Sequence, residues 1–271
     1  MKKQLRGGNS SIMRRGVLYG SSSSNCLRMI LLRDKKVQQM EPDARSKKVF
    51  AIGHLNEDLF ERDYLDGNGT VVKEMEVQIE LTDSVDFVGH CDFAANGFLY
   101  ELKSCTSDNT YKKVFIENKY KKENLIQLAT YLLMTEIPEG YLCYTSYTDT
   151  IQYKALDKVS EDDIPQLAEQ SKRETRFIHV TFSDDGKVFA DGDDTGIKVE
   201  DILEFQQTAI NVLENDVVYP DRPEPFDSSD RFTACSSCAL NSVCSEWEGK
   251  RWPTEKFIEK ARKVLNPIKE E

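Results

Sequence analysis

The chain has 271 residues, of which 39% are apolar and 31% are charged, and it carries a formal net charge of −11. No apolar run reaches the length that spans a membrane, and the basic N-terminus is not followed by the apolar segment of a secretory signal. We therefore expect a globular cytoplasmic protein with a substantial core. The acidic balance argues against nucleic-acid binding by the whole surface.

Positive charge is concentrated in two stretches of the chain. Residues 1–48 hold twelve Lys and Arg against three Asp and Glu, and a second cluster comprises Lys112, Lys113, Lys119, Lys121 and Lys122. A DNA strand can follow such patches while the acidic remainder keeps the protein in solution. The alternative for the N-terminal residues is a disordered basic tail. We predict a flexible tail over residues 1–20 and a single domain over residues 21–271.

Hydrophobic periodicity predicts the elements in chain order. Helices are predicted from near Ser24 through Val37, over 46–64, over 109–135 with a break near Lys119, and over 160–174, 199–215 and 254–264. Strands are predicted over 70–81, 85–94, 98–104, 140–147, 150–156 and 176–182, and residues 183–195 are predicted to form an acidic loop. Helices followed by a mixed sheet with flanking helices indicate an α/β or α+β fold.

The strongest turn signal is Asn96-Gly97, which predicts a two-residue type I′ turn between two strands. Continued along both strands, the register of this turn places Asp92 opposite Glu101 and His90 opposite Lys103. Strand alternation then predicts one apolar and one polar face. The apolar face comprises Val85, Phe87, Cys91, Phe93, Phe98, Tyr100 and Leu102, and the polar face comprises Asp86, His90, Asp92, Glu101 and Lys103.

Two carboxylates directly opposed on a sheet repel each other, so Asp92 and Glu101 require a compensating charge. A hard divalent cation such as Mg²⁺ prefers carboxylate oxygens, and it can position a water and stabilise charge on a phosphate. Lys103 lies two residues beyond Glu101 on the same face, where it can assist an attacking water. The alternative is a solvent-exposed hairpin face with an ordinary Glu–Lys pair.

The sequence Asp92, eight further residues and Glu101-Leu102-Lys103 resembles the D-x(n)-E-x-K core of the PD-(D/E)xK nucleases. This resemblance implies a restriction-endonuclease-like core over about residues 46–182, with a mixed central sheet flanked by helices. It also implies that Asp92, Glu101 and the Leu102 carbonyl bind Mg²⁺ or Mn²⁺, and that Lys103 assists the attacking water. The pattern leaves the role of His90 open.

Two helices resemble the RecB-like branch of this superfamily. Gln127 and Tyr131, in the segment KENLIQLATYLLM, share one helix face and match its Q-x-x-x-Y pattern, which is associated with placing the substrate strand. His54 lies on the helix before the Asp92 strand, where that branch has a histidine metal ligand. Glu57, one turn further, either supports His54 or is solvated surface. Taken singly, the pair also fits a helix rim, and the histidine also fits a structural role.

Four cysteines resemble an iron–sulfur subgroup of the RecB-like branch that includes helicase–nuclease subunits and CRISPR-adaptation exonucleases. Cys235, Cys238 and Cys244 form a C-x2-C-x5-C cluster, and Cys26 lies in SSSSNCLRM, which resembles the N-terminal signature of that subgroup. Four thiolates suit [4Fe–4S] or Zn²⁺, and the resemblance favours [4Fe–4S]. Such a cluster would join the N-terminal segment to a C-terminal segment over about residues 196–271.

Together these features predict a metal-dependent DNA exonuclease. It would hydrolyse phosphodiester bonds of single-stranded DNA or DNA ends in recombination, repair or CRISPR-adaptation-like processing. The resemblance makes a helicase, a recombinase or an adaptation protein the candidate partner, and a helicase would be a separate chain, because this chain has no P-loop motif. Two rival hypotheses are a DNA-binding accessory or assembly module, and a zinc-ribbon interaction protein with a coincidental hairpin.

Overall fold

The computed structural model describes residues 16–22, 26–34, 44–67, 69–105, 108–147, 159–170, 172–215, 217–218 and 252–265. Within these ranges, eight strands form one sheet with both parallel and antiparallel pairs, and helices pack against it around a shared apolar core. The predicted mixed central sheet with flanking helices is therefore confirmed. No helix in the described ranges is both long and apolar enough to cross a membrane.

The described part of the first half of the chain contains five strands of the sheet and four helices. Its elements are β1 (Gly16–Tyr19), α1 (Leu27–Asp34), α2 (Ala44–Phe60), β2 (Val71–Glu80), β3 (Val85–Ala95), β4 (Phe98–Cys105), α3 (Asp108–Tyr111), α4 (Lys122–Thr135) and β5 (Glu139–Tyr147). Short π-helical turns follow α2 and α3, at Glu61–Leu65 and Lys112–Ile116. The helical break predicted near Lys119 is confirmed, because α4 begins at Lys122.

The second half completes the sheet and adds two longer helices. Its elements are α5 (Ile164–Gln170), β6 (Arg173–Phe182), β7 (Lys187–Ala190), β8 (Asp193–Lys198), α6 (Val199–Asn215), β9 (Val217–Val218), β10 (Trp252–Pro253) and α7 (Thr254–Leu265). The two-residue strands β9 and β10 pair with each other outside the main sheet. The strand predicted over residues 150–156 lies outside the described residues.

Three sequence predictions are wrong in this fold. The predicted tail is too long, because β1 joins the sheet and Leu18 is fully buried. The helix predicted over 160–174 ends at Gln170. The predicted acidic loop contains β7 and the first half of β8, because Asp191 and Gly192 form a turn with positive φ between two short strands. Its acidic residues lie largely at turns and on exposed strand positions, which made the strands look like a loop.

Strand β3 forms ladders with three strands, and one of its edges is shared by two of them. β2 pairs with β3 along nearly its whole length. On the opposite edge, β1 runs parallel to residues 85–88, and β4 runs antiparallel to residues 93–95. Residues 89–92 therefore lie in a gap between β1 and β4, without a ladder partner on this edge among the described strands.

The ring of Tyr131 on α4 closes the gap from one side of the sheet. It is 1% exposed and packs edge-on to Phe87, with ring centroids 6.4 Å apart. A Cβ added to Gly89 would lie 2.5 Å from Cε1 of Tyr131, and one added to Gly20 would also overlap the ring. Both positions therefore require glycine, since the aromatic ring lies directly on the backbone.

The predicted division of β3 into an apolar and a polar face holds only near the turn. Phe93 packs with Tyr100 and with Phe60 at the end of α2, whereas Phe87 packs with Leu99 and the residues of α4. Leu99 and Tyr100 are consecutive on β4, so the two clusters lie on opposite faces there. The odd-numbered residues of β3 change clusters across the gap, where no ladder holds β3 in register with β4.

Replacing Gly89 with Ala tests the packing of Tyr131. The added methyl group overlaps a buried ring, so we expect Gly89→Ala to lower the free energy of unfolding by about 1–3 kcal/mol. Gly53→Ala is the matched control, because no atom lies within 4 Å of a Cβ at this helical position. It should raise stability by about 0.5–1 kcal/mol. Urea denaturation measures both, and equal effects would contradict the packing described.

Candidate active site

The turn at Asn96-Gly97 forms as predicted and holds the two strands that carry the candidate residues. Asn96 and Gly97 have φ of 54° and 85°, as a type I′ turn requires. Antiparallel pairing continues only as far as Phe93 and Tyr100. The predicted pairing of Asp92 with Glu101 is therefore wrong. The two strands separate at this point because β1, and not β4, pairs with residues 85–88 further along the same edge of β3.

His90 does not lie beside Lys103, as the continued register had predicted. It pairs across the other edge of β3 with Glu76 on β2, and its Nε2 lies 3.9 Å from Glu76 Oε2. Its side chain is 60% exposed. The position of His90 therefore gives it no contact with the candidate catalytic lysine.

Asp92 lies in the gap between β1 and β4. Its Oδ2 accepts a hydrogen bond from the backbone N–H of Leu102, at 2.5 Å, so a side chain bridges the two strands where the ladder has ended. Burial raises the pKa of Asp92, although the charge of Lys103 and the Leu102 N–H both favour the ionised form. Asp92 is therefore held in one orientation at a position that is only partly buried.

Glu101 is the most deeply buried charged group at the site, with 1% of its side chain exposed. Its Oε1 accepts a hydrogen bond from Lys103 Nζ at 2.6 Å, whereas its Oε2 is buried and has no hydrogen-bond partner. Burial, followed by the charge of Asp92, raises its pKa to about 8 against the opposing effect of Lys103. An unsatisfied buried carboxylate oxygen is unfavourable and indicates a position for a cation or a proton.

Lys103 lies at the mouth of the site, with 26% of its side chain exposed. Burial lowers its pKa, but the charges of Glu101 and Asp92 more than offset this, so its pKa lies above the ordinary value. Lys103 is therefore a cation that remains protonated and neutralises one of the two carboxylates.

Helix α2 carries both Glu57 and the predicted metal ligand His54, and Glu57 is the more buried of the two. Asn56 is buried and donates from Nδ2 to Ser104 Oγ, at 2.5 Å, which fixes α2 against β4. The adjacent Glu57 is 19% exposed, and burial and the charge of Asp92 raise its pKa to about 7. His54 is 76% exposed, with Nδ1 3.9 Å from Glu57 Oε1. The helix rotation thus directs Glu57, which the sequence left undecided, towards the carboxylates.

Sequence reasoning missed Glu74 on β2. Its neighbours Lys73 and Met75 pair with Phe93 and Cys91, so Glu74 lies opposite Asp92. Its backbone has a φ of 49°, a left-handed conformation that is rare for a non-glycine residue and is often found near functional sites. The charge of Glu74 raises the pKa of both Asp92 and Glu57. No periodicity or motif in the sequence distinguishes it from other strand glutamates.

The carboxylates fit a divalent cation chemically, although they do not form a finished ligand set. Among the described residues, no three His, Cys, Asp or Glu side chains are close enough to hold a metal ion together. Lys103 takes the role of counter-ion to Glu101 Oε1. Burial is the main cause of the raised pKa values of Glu57, Asp92 and Glu101, and Glu101 Oε2 has no partner, so a bound cation would stabilise their ionised forms.

The helix pair Gln127 and Tyr131 lies on α4 as predicted, but the two residues differ in exposure. Gln127 Nε2 donates to Tyr131 Oη at 3.3 Å. Tyr131 is buried, so its ring cannot touch a DNA strand directly, and only Gln127 is partly accessible. Tyr131 therefore holds Gln127 in place and fills the gap behind Asp92.

Of the four predicted cluster cysteines, the structure describes only Cys26. It lies directly before α1, and its carbonyl oxygen accepts hydrogen bonds from the N–H groups of Met29 and Ile30. Its side chain is half-buried. Cys235, Cys238 and Cys244 lie outside the described residues.

No protein-family model matches the chain, and no curated protein matches it in sequence. Among solved structures, it is similar to an alkaline exonuclease (LHK-Exo) from Laribacter hongkongensis, with 13% identity and a TM-score of 0.45 over 75% of this chain and 90% of that one. It is also similar to a phage related exonuclease from Haemophilus somnus 129PT, with 9% identity and a TM-score of 0.41 over 70% and 78% of the two chains.

The raised pKa of Glu57 predicts a pH-dependent stability of the metal-free protein. Between the ordinary value of 4.5 and about 7, the unfolded chain releases this proton and the folded chain retains it, so rising pH lowers stability. The contribution is at most about 1.4 kcal/mol per pH unit. Glu57→Gln should therefore gain stability relative to wild type as the pH rises from about 5 to about 8.

Urea denaturation in EDTA across this pH range measures the effect. Glu204→Gln on α6 is the control, because Glu204 is exposed and is not among the charges that shift the pKa of Glu57. A constant difference in stability between Glu57→Gln and wild type at every pH would contradict the burial of an ionisable Glu57.

Proposed function

We propose that the protein is a metal-dependent deoxyribonuclease that hydrolyses phosphodiester bonds at the carboxylate site. The observation that carries this proposal is the buried, unpartnered Oε2 of Glu101, next to the charged groups Asp92 and Lys103. Buried carboxylates with raised pKa values and a lysine at a sheet gap are an arrangement that an ordinary exposed salt bridge does not explain.

Asp92, Glu101 and Glu57 are the side chains that we propose to hold Mg²⁺ or Mn²⁺, together with the Leu102 carbonyl that the sequence resemblance implies. His54 is kept as a further candidate, although its exposure makes it the weaker one. When bound, such a cation lowers the pKa of a water and stabilises negative charge on a phosphate. The preference for Mg²⁺ or Mn²⁺ follows from the carboxylate oxygens, which are hard ligands.

The chain's own residues supply the rest of the mechanism. Lys103 remains protonated, so it can donate a hydrogen bond to the phosphate oxygens or hold the attacking water in line. The Leu102 N–H holds Asp92 in one orientation. Gln127 is the accessible polar group of α4 and is proposed to contact the strand near the scissile phosphate, with Tyr131 as its support.

The substrate class and the setting are proposed from the sequence resemblance. We propose exonuclease action on single-stranded DNA or DNA ends in recombination, repair or CRISPR-adaptation-like processing. A separate helicase, recombinase or adaptation protein would supply the substrate. The four cysteines Cys26, Cys235, Cys238 and Cys244 are proposed to bind a [4Fe–4S] cluster, or alternatively Zn²⁺, which would join the two ends of the chain.

Loss of the central charges should abolish cleavage. We expect Glu101→Gln and Lys103→Ala each to lower the rate of Mn²⁺-dependent cleavage of labelled single-stranded DNA by at least about 100-fold, because each removes a charge at the reacting phosphate. Lys198→Ala, at an exposed position of β8, is the control and should retain full activity.

Substrate topology separates exonuclease from endonuclease action. Linear single-stranded DNA should be degraded, and circular single-stranded DNA should persist. Cleavage that survives in both active-site variants would contradict the catalytic assignment. Wild-type protein that binds DNA but never cleaves it with Mg²⁺ or Mn²⁺ would favour the accessory-module hypothesis.

The cysteine proposal is tested by anaerobic purification. The protein should be brown, absorb visible light, and contain iron and acid-labile sulfide, because four thiolates retain the cluster when oxygen is excluded. Cys238→Ser should lose the colour and the iron, whereas Cys143→Ser, a buried cysteine in the sheet, should retain both. Zinc without iron or sulfide in wild-type protein would contradict the iron–sulfur assignment.

A further inference from the structure

A cluster of exposed lysines lies on the connection between β4 and α4. We call it the lysine surface, and it comprises Lys112, Lys113, Lys119 and Lys121 around Ile116. The side chains of Lys112 and Lys119 are each 67% exposed, and Ile116 is 66% exposed. An exposed large apolar side chain in a lysine-rich segment is an unusual surface for a protein whose net charge is −11.

The lysine surface is held firmly to the core. Val114 is 2% exposed, and its carbonyl oxygen accepts a hydrogen bond from Arg176. Tyr111 Oη donates to Glu174 Oε2 at 3.0 Å. The N–H of Lys119 donates to the carbonyl oxygen of Lys113 at 2.8 Å, which closes the loop after the π-helical turn. The lysines therefore project from a fixed scaffold, as a binding surface requires.

One end of the lysine surface lies next to the candidate active site. The N–H of Lys121 donates to Tyr144 Oη at 3.1 Å, and Asn124 Nδ2 donates to the same oxygen at 2.9 Å. Tyr144 is the ladder partner of Lys103 on the adjacent strand β5. A single buried tyrosine thus joins the lysine surface to the catalytic lysine.

The charge of the segment is strongly positive. Residues 112–122 contain five lysines and a single acidic residue, Glu117. Glu117 forms ion pairs with two of them, at 3.0 Å to Lys119 and 3.8 Å to Lys112. Such exposed pairs are weak and are easily exchanged for pairs with a phosphate.

We propose that the lysine surface binds the phosphates of a DNA strand whose end lies at Lys103, and that Ile116 contacts a base of that strand. This inference rests on the proposed deoxyribonuclease function and specifies how its substrate is held. Lysines bind phosphates as point charges, and an apolar side chain among them packs against the face of a base. An acidic protein partner would account for the lysines but not for their continuity with the active site.

The salt dependence of binding tests the lysines. Fluorescence anisotropy of labelled single-stranded DNA, recorded in EDTA to prevent cleavage, gives the slope of log affinity against log salt. For single strands the slope falls by about 0.7 for each phosphate that the protein no longer neutralises. Lys113→Ala/Lys121→Ala should therefore reduce it by about 1.4. The control Lys198→Ala/Lys256→Ala has the same charge change at exposed positions on β8 and α7 and should leave the slope unchanged.

Ile116→Ser tests the apolar contact separately. Because serine carries no charge, the salt slope should stay the same while the affinity at high salt falls about 5-fold or more, since no apolar side chain then packs against the base. Ile116 is exposed, so the substitution should not affect folding, and thermal denaturation of each variant checks this.

Several outcomes would overturn the inference. The first is an equal salt slope for the two double lysine variants, and the second is no detectable DNA binding by wild type. The third is competition by polyglutamate that is as effective as competition by unlabelled DNA, which would indicate a surface for acidic proteins. Mn²⁺-dependent hydrolysis of thymidine 5′-(p-nitrophenyl phosphate), which is too short to reach the lysine surface, reports on the active site alone. If this ester is hydrolysed while the two double lysine variants have equal salt slopes, only the inference about the lysine surface fails. If their salt slopes differ but neither the ester nor DNA is cleaved, only the proposed deoxyribonuclease function fails.

Discussion

The sharing of one edge of β3 by two strands is the constraint on which the candidate site depends. β1 takes the first part of this edge and β4 the last part, so the backbone between them cannot be satisfied by a continuous ladder. The side chain of Asp92 bridges the separating strands instead, by accepting the N–H of Leu102. The break in the sheet thereby places polar side chains between two apolar clusters, and the hydrogen bond to Leu102 fixes one of them, Asp92.

The site concentrates charge where the protein interior opposes it. Glu101, Asp92 and Glu57 all have raised pKa values, chiefly because burial disfavours their ionised forms. Lys103 compensates one carboxylate. Folding is thus less favourable than it would be with apolar residues here, and a bound cation would recover part of that free energy. Such a balance is typical of sites that are selected for chemistry and not for stability.

Local signals in the sequence predicted much of the fold, and long-range geometry accounts for the rest. The type I′ turn follows from Asn96-Gly97 alone, and α6 follows from its periodicity. β1 was missed because its partner on β3 is distant in sequence. Register continued from the turn failed at Asp92, since nothing near it in sequence reveals that another strand occupies the edge. The exposure of His54 and the burial of Glu57 depend on the rotation of α2, which its contact with β4 through Asn56 and Ser104 helps to set.

The ring of Tyr131 joins parts of the chain that are made at very different times. It lies on Gly20 near the N-terminus and on Gly89 in the sheet, and β1 is backed in turn by Leu213 of α6, 3.2 Å from a Cβ placed on Gly16. Contacts between such distant segments form late, because closing long loops costs entropy. During translation, β1, which borders the gap that holds Asp92, therefore gains its packing against Leu213 only after α6 has left the ribosome.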